Sequence, residues 1–175
     1  MIDAAIVQEI AAFVYDAGGA QKPMPTEVRD AIAAEADDEA DAATLALWTF
    51  RESGWNPKAR GDCYRWKLRP DGSKGECLAW RSKGLGQTPW GRTPDDAVGQ
   101  VRLIKIIMRQ SREVAEMRGS VCSQEPLAPY AGGCASERAR KIARVRAKDV
   151  AEIEIRLRDE RVIAMIPREM PALNW

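Results

Sequence analysis

Apolar residues recur at helical spacing along most of this chain, and the pattern predicts a mainly helical protein. A first helix over about 2–16 has its apolar residues on one side: Ile6, Ile10, Phe13 and Val14. Gly18, Gly19 and the prolines that follow end this helix. A second helix is expected over about 27–53.

Two further helices are predicted in the second half of the chain. Thr93 and Pro94 supply an N-cap and a first-turn proline to the first of them, which ends near Gly119. Its apolar side is formed by Ala97, Val101, Ile104, Met108 and Ala115. Ser136 can cap the second, which continues to about Met165. Its inner side is formed by Ile142, Val145, Val150, Ile153 and Leu157.

Between these helices, residues 56–90 form an irregular, glycine-rich segment where we expect loops and binding residues. The runs 63–68 and 76–80 suit a short β-hairpin around a Pro-Asp-Gly-Ser turn. The predicted fold class is therefore a mainly α-helical domain with a small irregular or β-hairpin insertion and a long C-terminal helix. We expect one domain at 1–148, with its core at 27–148, and a helical extension and tail at 149–175.

Four cysteines, Cys63, Cys77, Cys122 and Cys134, allow three disulfide connectivities. Pairs close in sequence are favoured, because Cys63 and Cys77 bracket the predicted hairpin turn and Cys122 and Cys134 bracket a proline- and glycine-containing loop. Four buried reduced thiols are the alternative. A zinc site is disfavoured, since the chain has no histidine and no close cysteine pair. No metal or other cofactor is expected.

The charge balance limits the kinds of partner. The chain has 27 Lys and Arg against 26 Asp and Glu, a formal charge of +1, so no nucleic-acid partner is expected. No apolar run reaches the ~18 residues of a membrane span, and Asp3 and Glu9 interrupt any secretory signal. Six basic residues lie from Arg138 to Lys148, where a solvated helix face is favoured over a site for an anionic partner.

One carboxylate interrupts an apolar helix face. Leu45, Trp48, Glu52 and Trp55 recur at spacings of three, four and three, so all four project from the same side of a helix. Desolvation on such a face raises the pKa of a carboxyl group. A glutamic acid that stays protonated near neutral pH can donate a proton as a general acid. Glu52 is therefore the candidate catalytic acid.

Three short patches extend this hypothesis. They are Glu52-Ser53-Gly54-Trp55-Asn56-Pro57-Lys58-Ala59, Gly84-Leu85-Gly86-Gln87 and Leu127-Ala128-Pro129-Tyr130-Ala131-Gly132-Gly133. In order and residue type they resemble the motifs of soluble lytic transglycosylases and goose-type-lysozyme-like proteins, which run E-S-x-F-x-P-x-A, G-L-M-Q and A-Y-N-A-G. The resemblance spans about residues 44–145 and implies a lysozyme-like fold. In size, the chain most resembles the phage virion-associated members of this group.

The resemblance implies a role for each matching residue. Glu52 falls at the single catalytic acid and Ser53 at the adjoining hydroxyl that helps to place acid or sugar. Gln87 falls at the amide that binds the glycan, and Tyr130 at the tyrosine whose hydroxyl contacts the catalytic carboxyl. Trp55 occupies the aromatic position that supports the catalytic helix.

Glycines and two departures complete the comparison with those motifs. Gly84 and Gly86 would let the backbone pass close to a sugar. Gly86 replaces the usual Met, and Ala131 stands where Asn is usual, so the substrate contacts of that Asn cannot form here.

The implied activity is cleavage of the MurNAc-β-1,4-GlcNAc bond of peptidoglycan glycan strands, with a 1,6-anhydro product. Hydrolysis by a muramidase with Asp62 or Glu76 as second carboxylate is an alternative. Another is a catalytically weak or inactive virion structural protein. It would assemble with itself or with other virion proteins through the C-terminal helix and tail. The expected place is a phage particle that penetrates the cell wall locally, or otherwise the extracellular or periplasmic space.

Overall fold

Helices make up most of the protein. The computed structural model describes residues 1–15, 19, 21–61, 63–117 and 124–165. The helices are α1 (Ala4–Ala12), α2 (Thr26–Glu35), α3 (Glu39–Ser53), α4 (Ala97–Met117), α5 (Ala128–Ala131) and α6 (Glu137–Met165). The strands are β1 (Cys63–Leu68), β2 (Lys74–Trp80), β3 (Ser82–Lys83) and β4 (Thr88–Pro89), followed by a 3-10 turn (Trp90–Arg92). The predicted helical fold with a small antiparallel hairpin is confirmed.

The central helix is α3, which is buried on most of its sides. Its buried residues are Ala42, Ala43, Leu45, Ala46, Leu47, Trp48, Thr49 and Phe50. α1 and α6 pack on it, and α2 contacts it while packing on α4. A helix that is apolar all round has to be enclosed in this way. Beyond Phe50 the side chains become half-buried, so the last turn brings Arg51, Glu52 and Ser53 toward the surface.

α3 ends in two successive left-handed residues. Gly54 has φ +61° and Trp55 has φ +60°, and the Gly54 N–H donates to the Phe50 carbonyl at 2.7 Å. The Trp55 side chain is fully buried, and its Nε1 donates to the Ala46 carbonyl at 2.9 Å. Trp55 therefore folds back on α3 and packs beneath its last turn.

The predicted single helix over 27–53 is wrong, because the chain breaks between α2 and α3. Asp38 begins α3 as its N-cap, and its carboxylate accepts a hydrogen bond from the Asp41 N–H at 2.8 Å. Lys105 of α4 fixes the break, since its Nζ donates to the Glu35 carbonyl at 2.5 Å. The alanines on both sides are strong helix formers, so the sequence pattern hides this interruption.

The helices α4 and α6 run close to the predicted limits, whereas α5 lies where a loop was expected between Cys122 and Cys134, and α1 is shorter than predicted. It begins at Ala4, where Asp3 caps it, and ends at Ala12 rather than at 16. α6 is continuous across the proposed boundary at 148/149, and Val150, Ile153 and Leu157 belong to the main core. The long helix is thus part of the core as far as Leu157. Within the described ranges, no helix is both long and apolar enough to cross a bilayer.

The hairpin of β1 and β2 packs mainly on itself. The predicted disulfide between Cys63 and Cys77 joins its strands, with the Cα atoms 5.9 Å apart. At the turn, the Asp71 carboxylate accepts a hydrogen bond from the Ser73 N–H at 2.9 Å. The second predicted pair includes Cys122, which lies outside the described residues, as does the tail 166–175.

Replacing both Cys63 and Cys77 by serine is expected to loosen the hairpin and leave the helical core intact. The disulfide closes a loop with a sequence separation of 14, and such a cross-link stabilises by about 3 kcal/mol. Because the hairpin packs mainly on itself, the loss affects its local opening. Trypsin should cleave after Arg65 and Lys67 roughly tenfold faster. The thermal midpoint followed by helical circular dichroism should fall by less than about 4 °C. A fall in the thermal midpoint well above 4 °C, together with faster cleavage, would mean that the hairpin unfolds together with the core.

Candidate functional site

One cavity brings together residues from all three sequence patches. Its volume is about 200 Å³, and it is lined by Glu52, Gly86, Gln87, Thr88, Ile107, Tyr130 and Ala131. α3, the 84–88 turn and α5 contribute most of these side chains. Among the lining residues that the structure describes, Glu52 is the only carboxylate.

Glu52 forms an ion pair with Arg146 of α6. Arg146 Nη1 donates to Glu52 Oε1 at 2.6 Å. The Arg146 side chain is 12% exposed to solvent and the Glu52 side chain is 23% exposed. The apolar helix face predicts a desolvated carboxyl group. The structure adds a guanidinium, which balances the carboxylate charge where little water can reach it.

Trp48 links this ion pair to Tyr130. The guanidinium carbon of Arg146 lies 4.4 Å from the centroid of the Trp48 ring. Tyr130 meets Trp48 edge to face, with ring centroids 5.5 Å apart. Trp48 is buried, and within the described part of the chain its Nε1 has no hydrogen-bond partner. The ring therefore packs against both groups that border the carboxylate.

The Tyr130 hydroxyl donates a hydrogen bond to the Gly86 carbonyl at 2.7 Å. The family resemblance implies a contact with the Glu52 carboxyl, but this hydrogen bond runs to the backbone of the 84–88 turn. Burial, and then the charge of Glu52, raises the pKa of Tyr130 well above its ordinary value of 10.0. The hydrogen bond from this hydroxyl holds α5 against the turn.

Both glycines of the turn are needed for close packing. A Cβ at Gly86 would lie 2.4 Å from Ile104 Cγ1 and 2.6 Å from Tyr130 Oη. This crowding accounts for glycine where the similar motif has methionine. Gly84 has φ +79°, and a Cβ there would lie 2.5 Å from Gln100 Oε1. Gly84 supports the turn, while Gly86 also lines the cavity.

Gln87 reaches the cavity from a left-handed backbone conformation, with φ +49°. Its Oε1 accepts from the Ser82 hydroxyl and its Nε2 donates to the Gly84 carbonyl, each at 3.1 Å. A side-chain amide has two N–H donors, so one donor is still available to a ligand. A left-handed non-glycine residue costs of order 1 kcal/mol, a strain that proteins often keep at functional sites.

Gln100 of α4 holds the turn from the other side, a role that the sequence analysis missed. Its Oε1 accepts from the Leu85 N–H at 2.8 Å, and its Nε2 donates to the carbonyls of Pro57 and Pro94 at 3.1 and 3.0 Å. The side chain is buried with all these bonds satisfied. Position 100 lies one turn before Ile104 on the apolar side of α4. A polar residue on that side could have indicated a buried side chain with hydrogen-bond partners.

Arg146 is the other functional residue that the sequence analysis missed. The basic run 138–148 was interpreted as a solvated face, but Arg140, Arg144 and Arg146 all have protein partners. Arg146 lies four residues before the buried Val150, on the inner side of α6. A basic residue on the apolar side of a helix could therefore have indicated a buried ion pair.

Among the described residues, Ser53, Gly84 and Glu76 were site candidates from the sequence but do not line the cavity. The Ser53 hydroxyl donates to the Thr49 carbonyl of its own helix at 2.8 Å. Glu76 is exposed on β2. Asp62, the other candidate second carboxylate, lies outside the described residues.

Two larger cavities lack this convergence of predicted residues. One, of about 330 Å³, lies beside α4, where Arg102 pairs with Glu35 at 2.6 Å and Lys105 pairs with Asp37 at 2.7 Å. The other, of about 410 Å³, has a largely acidic lining that includes Glu27 and Asp30. Neither contains a residue of the catalytic hypothesis, so the cavity beside Glu52 is the candidate site.

No family model matches this chain, and no curated protein or solved structure matches it either. The chemistry of the Glu52 cavity is therefore the basis for a functional assignment.

Substituting Gly86 by alanine is expected to destabilise the protein by about 1–3 kcal/mol, because the added Cβ overpacks the space between Ile104 and Tyr130. Gly91→Ala is the matched control, since a Cβ there would meet no atom within 4 Å. The control should change the free energy of unfolding by less than about 0.5 kcal/mol. Urea denaturation measures both. Equal effects of the two substitutions would contradict the close packing of the turn.

Proposed function

We propose that the protein is a peptidoglycan lytic transglycosylase with a lysozyme-like helical domain. It would cleave the bond between N-acetylmuramic acid and N-acetylglucosamine and leave a 1,6-anhydro end. The observation that carries this proposal is the meeting of Glu52, Gln87 and Tyr130 around one cavity. These residues come from three patches that are separate in the sequence.

In the first step, Glu52 donates a proton to the glycosidic oxygen as the bond from C1 breaks. The carbonyl oxygen of the substrate's own N-acetyl group attacks C1 and replaces the leaving sugar. Glu52 is then a carboxylate, which is the form that Arg146 pairs with. Arg146 therefore stabilises the state that proton donation creates, whereas proton uptake by Glu52 requires this ion pair to loosen.

In the second step, the Glu52 carboxylate takes the proton of the C6 hydroxyl, and O6 attacks C1. The N-acetyl oxygen leaves C1, the 1,6-anhydro ring closes, and Glu52 is protonated again. No water is consumed, so one carboxylate suffices. A two-carboxylate glycosidase needs a second group about 5–9.5 Å away. Glu76 is exposed on the hairpin and does not line the cavity, which favours the transglycosylase over a hydrolase that uses Glu76.

Gln87 and Tyr130 have supporting roles in this mechanism. The free N–H of Gln87 can donate to a sugar oxygen, while Ser82 and Gly84 hold the amide in place. Tyr130 fixes the turn that carries Gln87. Holding such groups in advance reduces the entropy lost when the substrate is positioned.

The proposed setting is a phage particle that opens the wall locally, with peptidoglycan glycan strands as substrate. The exposed part of α6 and the tail 166–175 are the proposed contacts with other virion proteins or with further copies of the chain.

A second candidate is a structural virion protein that has lost activity. Two observations favour it: the Glu52 carboxylate is already paired with Arg146, and the Gln87 amide is already bonded within its turn. Such a protein would keep these contacts for stability and would release nothing from cell walls.

Glu52→Gln is expected to lower the release of anhydro-muropeptides from bacterial sacculi by at least about 100-fold, because it removes the proton donor and acceptor. Mass spectrometry of the products identifies anhydro ends, which are one water lighter than reducing ends. Glu113→Gln is the matched control, since Glu113 is exposed on α4, and it should release products at the wild-type rate.

Other outcomes separate the alternatives. Reducing-end products that disappear in Glu76→Gln would establish the hydrolase instead. Equal release by Glu52→Gln and wild-type protein would exclude Glu52 as the acid. No release by wild-type protein with native circular dichroism would establish the structural alternative.

A further inference from the structure

The β1–β2 hairpin exposes side chains that the catalytic hypothesis does not use. It packs mainly on itself, and exposed residues alternate with half-buried ones along β2. Its exposed residues include Arg65, Lys67, Leu68, Lys74 and Leu78. The cavity beside Glu52 contains none of them.

The hairpin and its flanks concentrate positive charge. Residues 58–83 hold eight of the 27 Lys and Arg of the chain but only three of its 26 Asp and Glu. Arg65, Lys67 and Arg69 make no ion pair with any residue that the structure describes. These three cations follow one another at alternate positions along β1 and into the turn. They form a local positive surface on a chain whose formal charge is only +1.

Two leucines are exposed on the same hairpin, and Leu68, which lies between Lys67 and Arg69, projects from the face opposite the three cations. Leu68 keeps 64% and Leu78 52% of its accessible surface. Nearby, Lys74 Nζ lies 5.5 Å from the Trp66 ring centroid. Leucine, tryptophan and basic side chains together are typical of segments that lie at a membrane interface. A soluble polyanion would neutralise the cations but leave both leucines in water, whereas a bilayer surface accommodates both kinds of group.

We propose that this hairpin docks on the surface of a bilayer that contains anionic lipids. The hairpin enters the headgroup layer on edge, so that both of its faces meet lipid. Arg65, Lys67 and Arg69 then contact lipid phosphates, and Leu68 and Leu78 enter the boundary between headgroups and acyl chains. The binding is peripheral, and the disulfide between Cys63 and Cys77 keeps the hairpin formed on the membrane. This inference does not depend on the proposed catalytic activity.

The test is flotation of the full-length protein with vesicles of phosphatidylcholine alone or mixed with phosphatidylglycerol. The wild-type protein should bind the mixed vesicles only. The combined Arg65→Gln, Lys67→Gln and Arg69→Gln variant should bind roughly 100-fold more weakly, because each basic residue near an anionic surface contributes about 1 kcal/mol. The matched control is the combined Arg138→Gln, Lys141→Gln and Lys148→Gln variant. It removes the same charge from exposed positions on α6 and should weaken binding by less than about threefold.

A second pair of variants tests the leucines. Leu68→Ser combined with Leu78→Ser should weaken binding on the order of tenfold, whereas Ile155→Ser, at a residue that is 54% exposed on α6, should leave binding unchanged. Disulfide formation, checked by mass spectrometry, establishes that each hairpin variant has formed its loop. The proposal is overturned if the two charge variants lose binding equally or if the leucine variant binds like wild type. It is also overturned if the wild-type protein binds a DNA duplex or sacculi but not the mixed vesicles.

Discussion

The ion pair between Glu52 and Arg146 is the contact around which the site is arranged. It joins α3 to α6 where both charges are largely removed from water, since the Glu52 side chain is 23% exposed and that of Arg146 is 12% exposed. Either charge alone would carry a large desolvation cost there. The guanidinium also covers the Trp48 ring, and Trp48 in turn meets Tyr130. The position of the carboxylate is thereby coupled to the core of α3 and to α5.

The 84–88 turn is the other half of the site, and it is held from two sides. Gln100 bonds the turn to α4 and to the segment after α3, while Tyr130 bonds it to α5. Glycine at 84 and at 86 allows these partners to approach closely. A turn fixed in this way can keep Gln87 in a left-handed conformation and present its amide at the cavity. The polar groups of the site are accordingly positioned before any ligand binds.

Periodicity and local spacing predicted what depends on neighbours in the sequence. The face shared by Leu45, Trp48 and Glu52 follows from helical spacing, and the Cys63–Cys77 disulfide follows from the turn between the two cysteines. Trp55 was expected on that face but lies beyond the end of α3. The helix break before Asp38 was missed because its fixing partner, Lys105, lies on α4.

Contacts between residues that are distant in the sequence account for the rest of what was missed. Arg146 and Gln100 both lie on apolar helix sides, which marks them as unusual. Which residue each of them contacts, Glu52 for Arg146 and Leu85 for Gln100, nevertheless depends on how the helices pack. The same limit applies to Tyr130, whose bond to Gly86 depends on a close approach that no local pattern encodes.

Ligand titration by nuclear magnetic resonance tests the location of the glycan site most directly. Soluble glycan fragments of peptidoglycan would be added to Glu52→Gln protein, in which cleavage is suppressed, while the tryptophan indole and glutamine amide signals are followed. Binding in the proposed cavity should shift the signals of the Trp48 indole and the Gln87 amide and leave those of Trp66 and Trp80 unchanged. Shifts confined to Trp66 and Trp80 would place the glycan on the hairpin and contradict the assignment of the cavity beside Glu52.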